Sequence, residues 1–128
     1  MSIFEAGIGK WLQVKSLEEE GQYQLTFAEH HIGNTWIRSI HGGVSASIIE
    51  VCAEAETRKF IEEGQDVLLT SSTVDYLRVT KDADLFAKAT IVRKSRRLSV
   101  VDVVCWQDDK NVLVARGTVT LKVKSTIF

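Results

Sequence analysis

Apolar and polar residues alternate most cleanly where Tyr23, Leu25 and Phe27 interleave with Gln22, Gln24 and Thr26. That period of two marks a half-buried strand. Residues 11–16, with Trp11, Leu12 and Val14, read as a partner strand, and the polar run from Leu17 to Gly21 reads as the hairpin turn between them. Residues 28–40 keep no period and read as a loop carrying Gly33, Asn34 and the adjacent His30 and His31. The period then changes. Val44, Ile48, Val51, Cys52 and Ala55 recur at helical spacing, which predicts a helix over 43–62 with one apolar stripe. Glu54 and Arg58 make a favourable i,i+4 pair on it, and Gly64 follows as a stop signal. Beyond it, residues 67–77, 85–94, 98–106 and 112–123 are rich in Val, Ile, Leu and Thr and read as four strands.

The predicted order is therefore β-β-α-β-β-β-β, an α+β chain in which one long helix lies against a curved antiparallel sheet. Four strands joined by short connections suggest a meander. An open sheet leaves edges to be covered, which favours self-association. No repeat, linker or low-complexity stretch divides residues 1–128, and the length suits one domain.

Composition narrows the function classes. Hydrophobic residues make up 45% and charged residues 26%, enough apolar material for a packed core. The formal net charge of -1 supplies no pull toward nucleic acid or an anionic membrane. The N-terminal MSIFEAGIGKW lacks a secretory pattern, and no apolar run approaches the roughly 20 residues of a membrane helix. Cys52 and Cys105 stand far apart in apolar segments, so the expectation is two buried free thiols in a reducing cytoplasm. No CxxC suggests a thiolate metal site. Proline is absent, so Gly21, Gly33, Gly64 and the run 108–111 must supply the turns.

The chemically informative segment is Asn34 to Glu50. Gly42 and Gly43 precede the apolar stripe although glycine costs about 1 kcal/mol inside a helix. Either they make a flexible entry turn, or a ligand must approach the backbone there. The first N–H groups of a helix lack internal partners and carry the positive end of its dipole, so a carbonyl oxygen could dock on them. Glu50 lies off the apolar stripe among Ala46, Ala53, Thr57 and Glu54. It reads either as an ordinary surface carboxylate or as a partly buried one suited to general-base or nucleophilic work.

His41-Gly42-Gly43 followed by an apolar helix with an acid nine residues after the His resembles the signature of the PaaI-like acyl-CoA thioesterases, a branch of the hotdog superfamily. Val74 to Arg78, Lys94 to Val103 and Val114 to Thr120 look like later strands of the same family, and the likeness runs from about residue 20 to 123. The resemblance implies a hotdog fold, in which a sheet wraps a central helix, and hydrolysis of an acyl-CoA thioester without metal or other cofactor. It implies Glu50 as base or nucleophile, the Gly43 N–H as the group polarising the carbonyl, and His41 and Gly42 beside the thioester. Asn34 would orient water or the carbonyl, Thr70 and Ser71 would supply hydroxyls across a subunit interface, and Arg96 and Arg97 would hold CoA. A homodimer or homotetramer follows from the same resemblance. This chain departs from the pattern in that Asn34 is seven rather than six residues before the His, Arg38 occupies a glycine place, and Val79 stands where proline is common. The acid is Glu rather than the commoner Asp, and Leu69 aligns with a serine.

Other candidates read more plainly. Adjacent histidines on an extended chain point opposite ways and suit one metal ion poorly. The tryptophans fit the core or an interface, although Trp36 could line an acyl pocket. The Arg93–Arg97 cluster reads as a solvated turn, or as a CoA phosphate contact on the strength of the resemblance. Two other functions compete with hydrolysis: a non-catalytic acyl-CoA-binding hotdog protein, and a hotdog hydratase or dehydratase using a His with an acid.

Overall fold

A computed structural model of the chain describes residues 3–125. A short helix α1 (Gly7–Leu12) leads into strands β1 (Val14–Ser16) and β2 (Gln22–Leu25). A single 3-10 turn (Glu29–His31) and a small hairpin of β3 (Ile32–Asn34) and β4 (Ser39–Ile40) follow. Then come the long helix α2 (Gly42–Arg58) and strands β5 (Gln65–Tyr76), β6 (Leu85–Lys94), β7 (Leu98–Trp106) and β8 (Leu113–Ser125). Six strands form one antiparallel sheet in the order β1-β2-β6-β7-β8-β5, strongly curled around α2, which packs on β5, β6, β7 and β8. This is the α+β hotdog arrangement the sequence led us to expect.

Three local expectations are corrected. Trp11 and Leu12 end helix α1 rather than opening a strand, so the first strand starts at Val14. Two glycines in six residues give this helix little intrinsic propensity. It forms because Leu12 and Gly9 are buried against the rest of the chain, with Gly9 so close to Ile3 that a Cβ would lie 2.3 Å from its carbonyl oxygen. Residues 28–40 are not a structureless loop but hold the 3-10 turn and the β3–β4 hairpin. The long helix stops at Arg58, four residues before the predicted end, and Phe60 turns off the helix path to lie beneath the Lys94 ammonium, 4.3 Å from its ring centre.

The sheet order also departs from a simple meander. Strands β6, β7 and β8 do follow one another, but β5 pairs with β8 at the far edge, and β2 pairs with β6. Alternation tells which face of a strand is buried and is silent about its neighbour.

The core lies between α2 and the concave face. Ile48, Ile49 and Cys52 are completely buried against Val101, Val103, Val119 and Leu121. Each such aliphatic side chain contributes about 1.5–3 kcal/mol on leaving water. The helix comes so near β8 that a Cβ on Gly117 would meet Ile49 Cγ2 at 3.0 Å and the Thr73 carbonyl oxygen at 2.7 Å. Polar ties fix the helix in register. Tyr23 donates its hydroxyl to Glu56, Thr57 shares a hydrogen bond with Ser99 at 2.9 Å, and Tyr76 donates to the Gly42 carbonyl at 2.8 Å. Burial first, and then the Glu56 carboxylate, raise the Tyr23 hydroxyl above its ordinary pKa, so it remains a donor.

The two cysteines are free and buried. Burial pushes the Cys105 thiol up to about 12 and the Cys52 thiol well above its usual range. Neither offers a thiolate for nucleophilic work. No helix among the described residues is long and apolar enough to cross a membrane.

Candidate active site

The start of α2 is built by its neighbours. Gly33 on β3 lies so close to His41 that a Cβ there would meet the His41 Cα at 2.8 Å. That approach lets the His41 N–H donate to the His31 carbonyl at 2.9 Å, which fixes where the helix begins. His41 is the N-cap residue: its Nδ1 accepts the Gly43 N–H at 2.8 Å. The capping nitrogen is the unprotonated one, so a neutral ring carries its proton on Nε2. At Gly42 a Cβ would come within 3.5 Å of the Tyr76 ring, whose hydroxyl already holds the Gly42 carbonyl. The end of β5 is thereby locked to the first turn of α2.

From that turn one face of the helix runs outward. Gly43, Ser47, Glu50 and Glu54 follow at spacings of four, three and four, which places them in a line along the helix. Helix α1 lies alongside this line and divides the space above it in two. Near the N-terminus, a cavity of about 330 Å³ is lined by His41, Gly43, Val44 and Ser47 from α2, with Trp11, His30 and Ile32 opposite. Further along, a cavity of about 500 Å³ is lined by Glu50, Val51 and Glu54, by Ile3, Ala6, Gly7 and Ile8, and by Leu69 and Leu121. Glu50 is partly buried there, and Glu54 is drawn toward Arg58, 3.5 Å away, which also binds Asp66 at 3.0 Å.

The expected site residues divide along these lines. Glu50, Gly43 and His41 share one helix face, and Gly42 sits at its origin. Asn34 lines neither cavity. Its Oδ1 accepts from the Trp36 and Ile37 amides at 3.0 and 3.4 Å and so shapes the tip of the β3–β4 hairpin, where Trp36 is 95% exposed. The hairpin is held from below by Arg38, which pairs with Glu29 at 2.6 Å and Asp82 at 2.8 Å. On β5, a bulge falls between Leu69 and Ser71, at Thr70, whose hydroxyl faces its own backbone at the Leu68 carbonyl. Ser71 pairs with Thr120 and is exposed, whereas Leu69 pairs with the buried Leu121 and faces the helix. Within one chain the group opposite Glu50 is thus Leu69. Arg96 and Arg97 occupy the turn between β6 and β7, at the other end of α2. Arg96 lines a shallow pocket of about 340 Å³ with Phe60, Gln65 and Lys94, beyond the C-terminal end of α2, whose last residue Arg58 is roughly 12 Å along the helix from Glu50 by its rise per residue.

Several contributors escaped the sequence reading. Ser47 stood at a legible spacing between Gly43 and Glu50. Lys122 pairs across from Leu98, next to Arg97, and Lys124 pairs with Asp66, so both extend the basic ground near that turn. Nothing in the sequence placed residues 3–8 over Glu50. His31 is buried completely, and its Nδ1 accepts the Ala28 N–H at 3.1 Å. Burial, and then the neighbouring His30, lower its pKa. His30 spends its Nε2 on the Trp11 carbonyl at 2.7 Å, so both rings serve to seat α1.

The model of the acyl-CoA thioesterase N-terminal domain matches residues 32–122, most of the chain. The chain belongs to that family. The match begins at β3 and takes in the Gly43–Glu54 helix face, strands β5 to β7 and most of β8. Solved structures agree. A protein of the thioesterase superfamily is 26% identical, with a TM-score of 0.83, over 95% of this chain and 92% of that one. A thioesterase of Haemophilus influenzae is 20% identical, with a TM-score of 0.86, over 97% and 87%. A Bacillus halodurans protein, solved with CoA, is 20% identical, with a TM-score of 0.80, over 91% and 75%. No curated protein matches this sequence. Helix α1 lies wholly outside the stretch matched by the family model.

Proposed function

We propose that the chain hydrolyses an acyl-CoA thioester to the free acid and CoA, with Glu50 as base or nucleophile. The observation that carries this reading is the placement of Glu50 and the Gly43 amide on one face of α2, Glu50 at the apolar cavity of about 500 Å³ and Gly43 at the neighbouring cavity of about 330 Å³, in a chain of the acyl-CoA thioesterase family. In the general-base form, Glu50 takes a proton from water as the water oxygen bonds to the thioester carbonyl carbon. The carbonyl electrons move onto oxygen, where the Gly43 N–H at the positive end of the helix stabilises them. The oxyanion then re-forms the carbonyl, the C–S bond breaks, and the CoA sulfur leaves, to be protonated as the thiol. The Gly43 amide is held by His41 Nδ1 in this structure, so the thioester oxygen must share that N–H or displace the ring. A displaced His41 lies beside the carbonyl and can donate from Nε2. No metal or redox cofactor enters this scheme.

The remaining assignments complete the proposal. Arg96 and Arg97 hold CoA phosphate groups, for which a guanidinium fork is well shaped. The Bacillus halodurans relative solved with CoA supports CoA as the ligand. A homodimer forms along the unpaired edge of β5, where Leu68 and Leu69 are 50% and 41% exposed, and brings Thr70 and Ser71 of a second copy near the helix face. Asn34 acts through the shape of the hairpin tip.

The test is thiol release from a panel of acyl-CoAs by wild type and Glu50→Gln. General-base catalysis predicts a loss of about 10²–10⁴ in kcat. Equal turnover by the two proteins removes Glu50 from the chemistry. Stabilisation by acyl-CoAs with no turnover across aryl, short and long acyl groups makes the chain a binding protein on this fold.

A further inference from the structure

The cavity over Glu50 is unevenly made. Its walls are Ile3, Ala6 and Ile8 from the N-terminal segment and Val51, Leu69 and Leu121 from the body. Its polar side chains are two carboxylates, Glu50 and Glu54, and no Lys, Arg or His is among the described residues that line it. At about 500 Å³ it falls inside the usual range for small-molecule sites, roughly 300–1,000 Å³. A dry apolar cavity of about 150 Å³ suffices for benzene. This space therefore has room for an aryl ring or a medium-length chain, well beyond an acetyl group.

From this we infer that the N-terminal segment through α1 is the specificity wall of the site, and that the open cavity it borders takes the acyl group of the thioester, one that is bulky, apolar and uncharged. The inference rests on the thioesterase reading for its ligand. Apolar walls favour each added methylene by roughly four-fold in affinity. An acyl group ending in a carboxylate meets Glu50 and Glu54, of which only Glu54 has a neighbouring cation, Arg58 at 3.5 Å, and it loses its hydration on entry. Substrate choice then depends on residues that the family match, residues 32–122, does not include. Ala6 and Ile8 are exposed and hold no part of the core cluster, so larger or smaller side chains there change the cavity with little effect on folding.

The experiment compares wild type with Ala6→Trp, which fills the cavity, in two assays. The first is the thermal shift given by CoA, acetyl-CoA, butyryl-CoA, octanoyl-CoA, phenylacetyl-CoA and succinyl-CoA. The second is thiol release from the same thioesters. For wild type, stabilisation rises from CoA to butyryl-CoA to octanoyl-CoA, and succinyl-CoA gives no more than CoA itself. In Ala6→Trp the octanoyl and phenylacetyl increments disappear, and the ratio of kcat/KM for these substrates to that for acetyl-CoA falls at least ten-fold. Succinyl-CoA handled as well as butyryl-CoA, or an Ala6→Trp protein whose increments and ratio match wild type, overturns the inference even if hydrolysis is robust. Graded stabilisation that Ala6→Trp abolishes, with no thiol release at all, keeps the acyl cavity and removes the hydrolase reading instead. No thermal response and no turnover with any thioester overturns both.

Discussion

The Gly43 amide donates to Nδ1 of His41 at 2.8 Å, so the backbone group best placed to meet a substrate carbonyl is covered by the side chain that caps the same helix. Capping and catalysis therefore draw on one residue and can be separated by substitution. Asn is a strong N-cap and Ala a poor one. His41→Asn should keep thermal stability near wild type, whereas His41→Ala should lose about 1 kcal/mol. Both lose the Nε2 donor, and thiol release should fall in both. A His41→Asn protein with full turnover would confine His41 to the cap.

Glu54 shares the cavity with Glu50 but is drawn toward Arg58 at 3.5 Å. Exposed i,i+4 pairs contribute about 0.3–0.5 kcal/mol. Glu54→Gln should therefore shift the denaturation midpoint only slightly. Removing one of two negative charges should raise kcat/KM for succinyl-CoA relative to butyryl-CoA several-fold. An unchanged ratio means the Glu54 carboxylate does not face the acyl group.

His31 sets a pH dependence of stability. Burial holds its folded pKa below the ordinary 6.5, so between those two values the unfolded chain binds more protons than the folded one. Stability from this residue is fully present above about pH 6.5 and is lost as pH falls through the window below it. The wild-type Tm should drop from pH 7.5 to 5.5 by more than that of His31→Leu. The effect is distinct from acid unfolding at lower pH, where Glu29 and Asp82 are protonated. Their pKa values are lowered chiefly by hydrogen bonds from Arg38. Equal pH slopes for the two proteins would show that His31 is charged or rehydrated without cost.

Gly33 is required by contact rather than by torsion. A Cβ there would meet His41 backbone and side-chain atoms at 2.8 to 3.0 Å, and the backbone cannot rotate away. Gly33→Ala should push the β3–β4 hairpin from the start of α2, at a cost of roughly 1–3 kcal/mol as for other overpacked sites. Turnover should fall with it, because His41 moves. Hydrogen exchange at the His41 amide, which donates to His31, reads the displacement directly.

The sequence by itself determined the elements whose pattern is local. The period-3.6 stripe from Val44 to Ala55 gave α2, the period-2 run at residues 22–27 gave β2, runs rich in Val, Ile, Leu and Thr gave β5 to β8, and two glycines before an apolar stripe marked the helix entry. The His41–Gly43–Glu50 spacing carried the likeness to a family to which the chain does belong. Tertiary structure alone decided the rest, because each remaining feature depends on what lies across space. Alternation cannot say that β5 joins β8 instead of β6, since any edge would bury the same face. Propensity argues against a helix at residues 7–12, which forms because Leu12 and Gly9 are buried against the body of the protein. The wall over Glu50 comes from residues more than 40 positions away in the chain, and no local pattern encodes which segment a folded helix face will meet.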